Sequence, residues 1–347
     1  MTKIGSHELS TTKPYIIAEM SASHNQDFEQ ALRLVEVAAQ SGADAIKTQT
    51  FTPDTLTIDC NAEPFIIGGG TPWDGQTLYE LYQKAYMPWS WQMEVKRRAA
   101  LCSIDFISTV YDKTALKHLE KTAQPVAYKI ASFENNDIPL LNRVAAKGLP
   151  IILSTGMATL TEIREAVNII QSYGVDVVLL HCVSAYPAEP YEMNLRTIQD
   201  LAKEFGVSVG VSDHTLGVAV SVTAVALGAC VVEKHLTLSR SGDSLDDAFS
   251  LEPDEFRQMV EAVHNAADAL GEVTYGADER EASRYRRSLF VVEDIAQGAE
   301  FTETNVRSIR PADGLEPKFY QWVLGTKAPC DIARGTPLTK ELLDGIL

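Results

Sequence analysis

Short apolar, β-branched runs alternate with amphipathic stretches eight times, and that rhythm constrains the fold more than any other feature of the chain. The runs lie at 15–19, 45–49, 105–109, 127–130, 150–155, 175–182, 207–212 and 230–235. Helix-like segments such as 28–40, 159–173 and 197–205 separate them, and 253–270 closes the series. Strands this apolar are buried on both faces, as in a parallel sheet covered by helices. Eight such units in about 270 residues predict an α/β fold, a (β/α)8 TIM barrel. A doubly wound open sheet is the alternative, but no Gly-x-Gly-x-x-Gly follows the first run.

In such a barrel the chemistry collects at the carboxyl ends of the strands. Two histidines stand there in register. His214 ends Val-Gly-Val-Ser-Asp-His-Thr (209–215), and His235 ends Cys-Val-Val-Glu-Lys-His (230–235), with a helix-length segment at 216–228 between them. Either alone reads as a buried imidazole bonded to backbone; as a pair on neighbouring strands they read as ligands of one metal ion.

The other strand ends add Glu19, Lys47, Gln49, Thr109, Lys129, Ser132, Glu134, Ser154, Ser184, Tyr186 and Ser212. A single Ser or Thr here is better explained as a helix cap, but polar groups at every strand end are not. Lys47 and Lys129 would bury ammonium groups, which is costly without an anion. Thr109, Ser132, Ser154, Ser184 and Ser212 can donate to phosphate oxygens. Glu19 and Glu134 are carboxylates suited to acid/base work. The residues alone therefore point to a metal-assisted barrel enzyme acting on a small phosphorylated anion.

A net charge of −17 over 347 residues argues against nucleic acid and anionic membrane surfaces as partners. No apolar run reaches the roughly 20 residues of a membrane span. No signal peptide opens the sequence, so a cytoplasmic location is expected. The five cysteines (60, 102, 182, 230 and 330) show no Cys-x-x-Cys spacing, and Cys182 and Cys230 read as small core residues.

Residues 51–75, with Gly69 and Gly70, interrupt the rhythm without helical periodicity, as a loop that shapes or covers a pocket would. Three parts are expected: a barrel over 1–273, a charged linker over 274–287 and a small mostly-β unit over 288–347. The last carries an echo. Asp-Ile-Ala-Gln-Gly-Ala-Glu-Phe-Thr (294–302) recurs as Asp-Ile-Ala-Arg-Gly-Thr-Pro-Leu-Thr (331–339). Each copy reads as a strand, a Gly turn and a Thr opening a helix.

Several motifs carry a resemblance. Ala-Glu-Met-Ser-Ala-Ser-His-Asn (18–25), Gly-Ala-Asp-Ala-Ile-Lys-Thr-Gln (42–49), Tyr-Lys-Ile-Ala-Ser (128–132), Leu-Ser-Thr-Gly-Met (153–157), Ser-Asp-His-Thr (212–215) and Glu-Lys-His (233–235) resemble the sialic acid synthase (NeuB-like) family. Residues 288–347 are similar to its antifreeze-like SAF domain. Trp-Asp-Gly-Gln-Thr-Leu-Tyr-Glu-Leu-Tyr (73–82) and Lys-Ile-Ala-Ser-Phe-Glu-Asn (129–135) look most like the family's pseudaminic acid branch.

The resemblance implies a transferase that condenses phosphoenolpyruvate with an open-chain 2-acetamido sugar and water, releasing phosphate. In the pseudaminic branch the sugar is 2,4-diacetamido-2,4,6-trideoxy-L-altrose. His214 and His235 would hold Mn2+ or Mg2+, which orients the aldehyde as a Lewis acid. Lys47, Thr109, Lys129, Ser132, Ser154, Ser184 and Ser212 would bind phosphoenolpyruvate. Glu19, assisted by Glu134, would manage the proton chemistry, and Gln49, Tyr186 and Asp246 would contact the sugar. Arg310 matches the position where the SAF domain of one subunit reaches its partner's site, which implies a domain-swapped homodimer.

Three positions depart from the family pattern: Ser23 where Asn is usual, Val110-Tyr111 where Pro-Phe is common, and Thr48 in place of an apolar residue. Rival readings are an N-acetylneuraminate or legionaminate synthase, a non-catalytic sugar- or partner-binding barrel, and an aldolase forming a Schiff base at Lys129 or Lys234.

Overall fold

In the computed structural model, which describes residues 2–69, 73–275 and 280–344, the chain divides into two compact units that meet between Gly271 and Glu272. The first opens with a small antiparallel hairpin, β1 (Lys3–Ile4) and β2 (His7–Glu8). Eight strands follow: β3 (Tyr15–Glu19), β4 (Ala45–Thr50), β5 (Asp105–Val110), β6 (Tyr128–Ile130), β7 (Ile151–Ser154), β8 (Val177–Cys182), β9 (Ser208–Asp213) and β10 (Val231–His235). They close as a barrel in sequence order, with β10 returning to pair in parallel with β3. The predicted TIM barrel is the fold observed.

Strand alternation sorts the interior into two cores. Ile16 and Ala18 of β3, Ile46 of β4 and Val232 of β10 pack outward among the helices. Ile17, Ala45, Ile107, Ile152, Val178 and Val231 pack inward, and Ile4 of the hairpin joins them. The same alternation turns Glu19, Glu233 and His235 inward and Lys234 outward.

The helices are α1 (Phe28–Gln40), α2 (Pro53–Leu56), α3 (Leu78–Ala85), α4 (Gln92–Leu101), α5 (Lys113–Thr122), α6 (Ile138–Ala145), α7 (Leu160–Ser172), α8 (Thr197–Phe205), α9 (Ala219–Ala226) and α10 (Pro253–Leu270). Local chemistry starts them where the sequence allows. Asp27 caps α1 by accepting from the Gln30 N–H at 2.9 Å, and Thr159 with Glu162 forms a capping box on α7.

The interruption after β4 is less irregular than expected. Residues 51–75 contain the single turn of α2 and a 3-10 turn at Glu63–Phe65, which are too short to show periodicity. Gly70 lies outside the described residues, as do 276–279 of the expected linker; α11 (Arg280–Ser283) follows.

In the second unit, β11 (Ser288–Val291) pairs antiparallel with β12 (Val306–Ile309), and α12 (Tyr320–Val323) follows. The echoed segments pair with each other. Ile295 and Ile332 exchange backbone hydrogen bonds of 2.9 and 2.8 Å. Asp294 accepts from the Arg334 N–H and Asp331 from the Gln297 N–H, both at 2.7 Å. The repeat is thus a local two-fold. The strand-and-helix reading of each copy is corrected: the pairing consists of isolated bridges, and turns rather than helices follow Thr302 and Thr339.

Candidate active site

A cavity of about 410 Å³ opens at the carboxyl ends of the barrel strands, within the size range of small-molecule sites. Fourteen of the fifteen residues singled out from sequence line it: Glu19, Lys47, Gln49, Thr109, Lys129, Ser132, Glu134, Ser154, Ser184, Tyr186, Ser212, His214, His235 and Asp246. Arg310 does not. It is exposed in the second unit, one residue beyond β12.

Lys47 is not the unpaired cation expected. It forms ion pairs with Glu19 and, at 3.4 Å, with Glu233, and lies 3.2 Å from the Thr109 hydroxyl. Burial alone would depress the Lys47 ammonium, but the two carboxylates outweigh it and hold its pKa above the usual lysine value. The same burial raises Glu19 against the pull of Lys47. Glu19 also accepts the Ser21 N–H at 2.7 Å, so the carboxylate is fixed in one orientation.

Lys129 is the cation left for a ligand. Its ammonium donates to the Ser154 hydroxyl at 2.6 Å and to the Ile130 carbonyl at 3.0 Å. Among the described residues no carboxylate pairs with it. Burial lowers its pKa, an electrostatic cost that a bound anion would offset.

Beside Lys129, Gly156 donates its N–H to Ser132 at 3.1 Å. A Cβ there would meet the hydroxyls of Ser184 at 2.5 Å and Ser132 at 2.8 Å. Only glycine leaves both hydroxyls where they are. Backbone N–H, serine hydroxyls and a buried ammonium together form a cradle suited to phosphate oxygens.

The histidine rings both line the cavity and meet edge to face, with centroids 5.4 Å apart and planes inclined by 66°. His214 Nδ1 lies 2.8 Å from the Val183 carbonyl, which can only accept. In the neutral ring the proton is therefore on Nδ1, and the lone pair is on Nε2, 3.3 Å from the Ser212 hydroxyl. His235 Nδ1 is buried with no hydrogen-bond partner, 3.9 Å from the Asp246 carboxylate. Burial, reinforced by His214, keeps this ring well below the usual histidine pKa and so neutral.

Among the described residues, no group of three or more His, Cys, Asp or Glu side chains could hold a metal. The two imidazoles supply donors of the right chemistry, and the orphaned His235 nitrogen fits a missing ligand. Other positions on an ion would fall to substrate oxygens and water, as in open catalytic sites.

Tyr186 lies against His214, ring centroids 4.3 Å apart, and packs on Phe249. Asp246 accepts the Ala22 N–H at 2.9 Å. Burial pushes the Glu134 carboxyl up to about 7, despite Lys129 nearby, and its Oε2 has no partner.

The sequence places Glu233 among the polar strand-end residues but assigns it no role; it shares a strand face with His235, lines the cavity and pairs with Lys47. Phe51 and Tyr111 also line the cavity. Tyr111, one of the departures from the family pattern, donates to Gln49 at 2.9 Å. Thr48 turns away from the cavity and bonds to Ser108 at 3.2 Å. Ser23 is fully buried outside the lining, its hydroxyl unpartnered.

Cys182, expected in the core, lines the cavity, whereas Cys230 packs with the inner barrel. All five cysteines are free. Lys234 points to the helix side, paired with Asp213 at 2.7 Å. A Schiff base at that lysine is excluded by its orientation.

Residues 34–275 match the NeuB family and residues 286–344 match the SAF domain. A pseudaminic acid synthase of Campylobacter jejuni serotype O:23/36 is 45% identical over 329 residues, covering 94% of this chain and 95% of that protein. One from Helicobacter pylori is 42% identical over 332 residues, covering 94% and 97%. Among solved structures, the spore coat polysaccharide biosynthesis protein SpsE of Bacillus subtilis aligns with a TM-score of 0.67 and 30% identity, covering 98% of both chains. The paired imidazoles, the serine-lined cradle and this full-length similarity lead to one conclusion: the chain belongs to the NeuB family.

Proposed function

We propose that the chain is a pseudaminic acid synthase, a phosphoenolpyruvate-dependent transferase joining that substrate to open-chain 2,4-diacetamido-2,4,6-trideoxy-L-altrose. The observation that carries the proposal is the convergence of the His214–His235 pair and the Lys129–serine cradle on one cavity. The near full-length similarity to proteins named for this activity selects the sugar.

Lys129, Ser132, Ser154, Ser184 and Ser212 hold the phosphate and carboxylate of phosphoenolpyruvate, with Lys47 and Thr109 at the β4–β5 side. Gln49, Tyr186 and Asp246 orient the sugar. His214 and His235 hold a divalent ion, Mn2+ or Mg2+, which when bound supplies Lewis acidity at the aldehyde.

Carbon 3 of phosphoenolpyruvate adds to the aldehyde carbon, leaving cationic character at carbon 2. Glu134, partly protonated near neutral pH, delivers a proton to the new alkoxide. Water adds at carbon 2 and gives its proton to Glu19, whose orientation Lys47 and Ser21 fix. The bond from carbon 2 to the bridging oxygen then breaks as the carbon 2 hydroxyl passes its proton to the departing phosphate, releasing inorganic phosphate and the keto acid.

The working unit is a homodimer in which Arg310 of each SAF unit completes the partner's site, as the resemblance implies. The five free thiols suit a cytoplasmic setting. No helix among the described residues is long and apolar enough to cross a membrane.

Phosphate release from phosphoenolpyruvate, measured with the diacetamido trideoxy sugar, N-acetylmannosamine and the legionaminate precursor, tests the proposal. The trideoxy altrose should give the highest kcat/KM. Equal or faster turnover of N-acetylmannosamine would overturn the assignment.

A further inference from the structure

The roles proposed above leave most of the apolar lining of the cavity without a use. Beside the histidines Phe249 packs on His235, and above β4 and β5 a second and larger apolar stretch of lining consists of Phe51, Leu56, Leu81, Tyr82, Ala85 and Tyr111. Three of these, Leu81, Tyr82 and Ala85, come from a single face of α3 at spacings that bring i and i+4 together. That helix buries none of its own residues fully, so its apolar face borders the cavity instead of packing into a core.

Nevertheless α3 is firmly held. Thr77 and Glu80 cap its start. Tyr79 donates to Asp54 at 3.3 Å, tying it to the preceding turn. The Gln26 amide donates to the carbonyls of Gln83 and Tyr86 at 2.8 and 3.3 Å, fixing its end. Phe51 braces the wall from below, edge-on to both Tyr82 and Tyr111 at 5.8 and 5.4 Å. A rigid, half-covered apolar face beside a polar cradle is incomplete until a ligand places apolar groups against it.

We propose that the α3 face bearing Leu81, Tyr82 and Ala85, with Phe51, Leu56 and Tyr111, is the specificity wall of the sugar site, selecting amino sugars whose non-reacting end carries methyl groups. It deepens the functional assignment above and rests on it. The 6-deoxy carbon and the acetamido methyl of a diacetamido trideoxy sugar are apolar groups that such a wall accepts. A sugar with free hydroxyls at carbons 4 and 6 would bury them where the aliphatic side chains Leu56, Leu81 and Ala85 offer no partner. Discrimination by an apolar surface against an added hydroxyl is limited to roughly 100-fold.

The test uses full-length enzyme and compares kcat/KM for the diacetamido trideoxy sugar with that for N-acetylmannosamine. Leu81→Gln and Leu56→Gln place hydrogen-bonding groups in the wall, and Leu81→Met keeps it apolar at similar volume. Each Gln variant should cut the preference for the trideoxy sugar by about 10-fold or more. Leu81→Met should leave it within about 2-fold. Thermal melts identify any variant that misfolds, and the two Gln positions serve as independent replicates. A preference unchanged in both folded Gln variants would overturn the wall while leaving the synthase assignment intact. A wild-type enzyme that does not prefer the trideoxy sugar would overturn the assignment, and the wall with it.

Discussion

At the scale of single residues, the loop after β3 combines function with a buried cost. Glu19 is inward and ion-paired, while five residues later His24 is fully buried. Its Nδ1 accepts the Gln26 N–H at 3.0 Å, and its Nε2 has no partner. Burial lowers its pKa from 6.5 to about 4. The sign follows from linkage: the unfolded chain binds this proton near pH 6.5, whereas the folded chain does so only near pH 4. The stability is complete above the unfolded value and is lost as pH falls towards the folded one, by about 3 kcal/mol in total. Urea unfolding of wild type and His24→Gln between pH 7 and pH 4 should show a shallower loss in the variant. Parallel pH profiles would refute the assignment of this loss to His24.

Residue identity also shows what a sequence can and cannot reveal about a site. The inward carboxylates, lysines and histidines were legible because a two-residue period fixes which strand-end side chains share a face. The partnership of Lys47 with Glu19 and Glu233 was not, because it joins three strands distant in sequence. That partnership leaves Lys129 as the buried lysine with no carboxylate partner among the described residues.

At the scale of elements, the eight barrel strands were readable because each is a buried run of β-branched and aliphatic residues. The hairpin β1–β2 was not readable, since two-residue strands carry no pattern. Nor was α3: its apolar face addresses a cavity, so it lacks the fully buried positions that mark a packed helix. Outward-facing polar pairs were equally hidden. Lys234 is almost fully enclosed, bonded to Asp213 and to the Thr215 carbonyl, and Asp213 also accepts from Ser221 at 2.7 Å. This pair ties β9 and β10 to the start of α9. Removing one member of a buried pair costs about 3–5 kcal/mol, so Lys234→Ala should lower the urea midpoint by a corresponding amount. A midpoint close to wild type would mean that the pair contributes little to joining these elements.

At the scale of the whole molecule, an acidic chain of net charge −17 places two buried lysines, Lys47 and Lys129, at the barrel mouth, where the proposed anionic substrate would bind. Lys129 donates to the Ser154 hydroxyl, and the buried carboxylates Glu19 and Glu233 are paired with Lys47. The second unit is joined to this machinery by sequence and has its own core around Leu289, Phe301 and Val306.

The most direct test follows the oxygen that bridges carbon 2 and phosphorus. Phosphoenolpyruvate carrying a heavy-oxygen label at that position should be turned over with the diacetamido trideoxy sugar, and both products weighed by mass spectrometry. The account predicts that the label leaves entirely with inorganic phosphate. Label retained in the sugar acid would mean cleavage at phosphorus, and would contradict it.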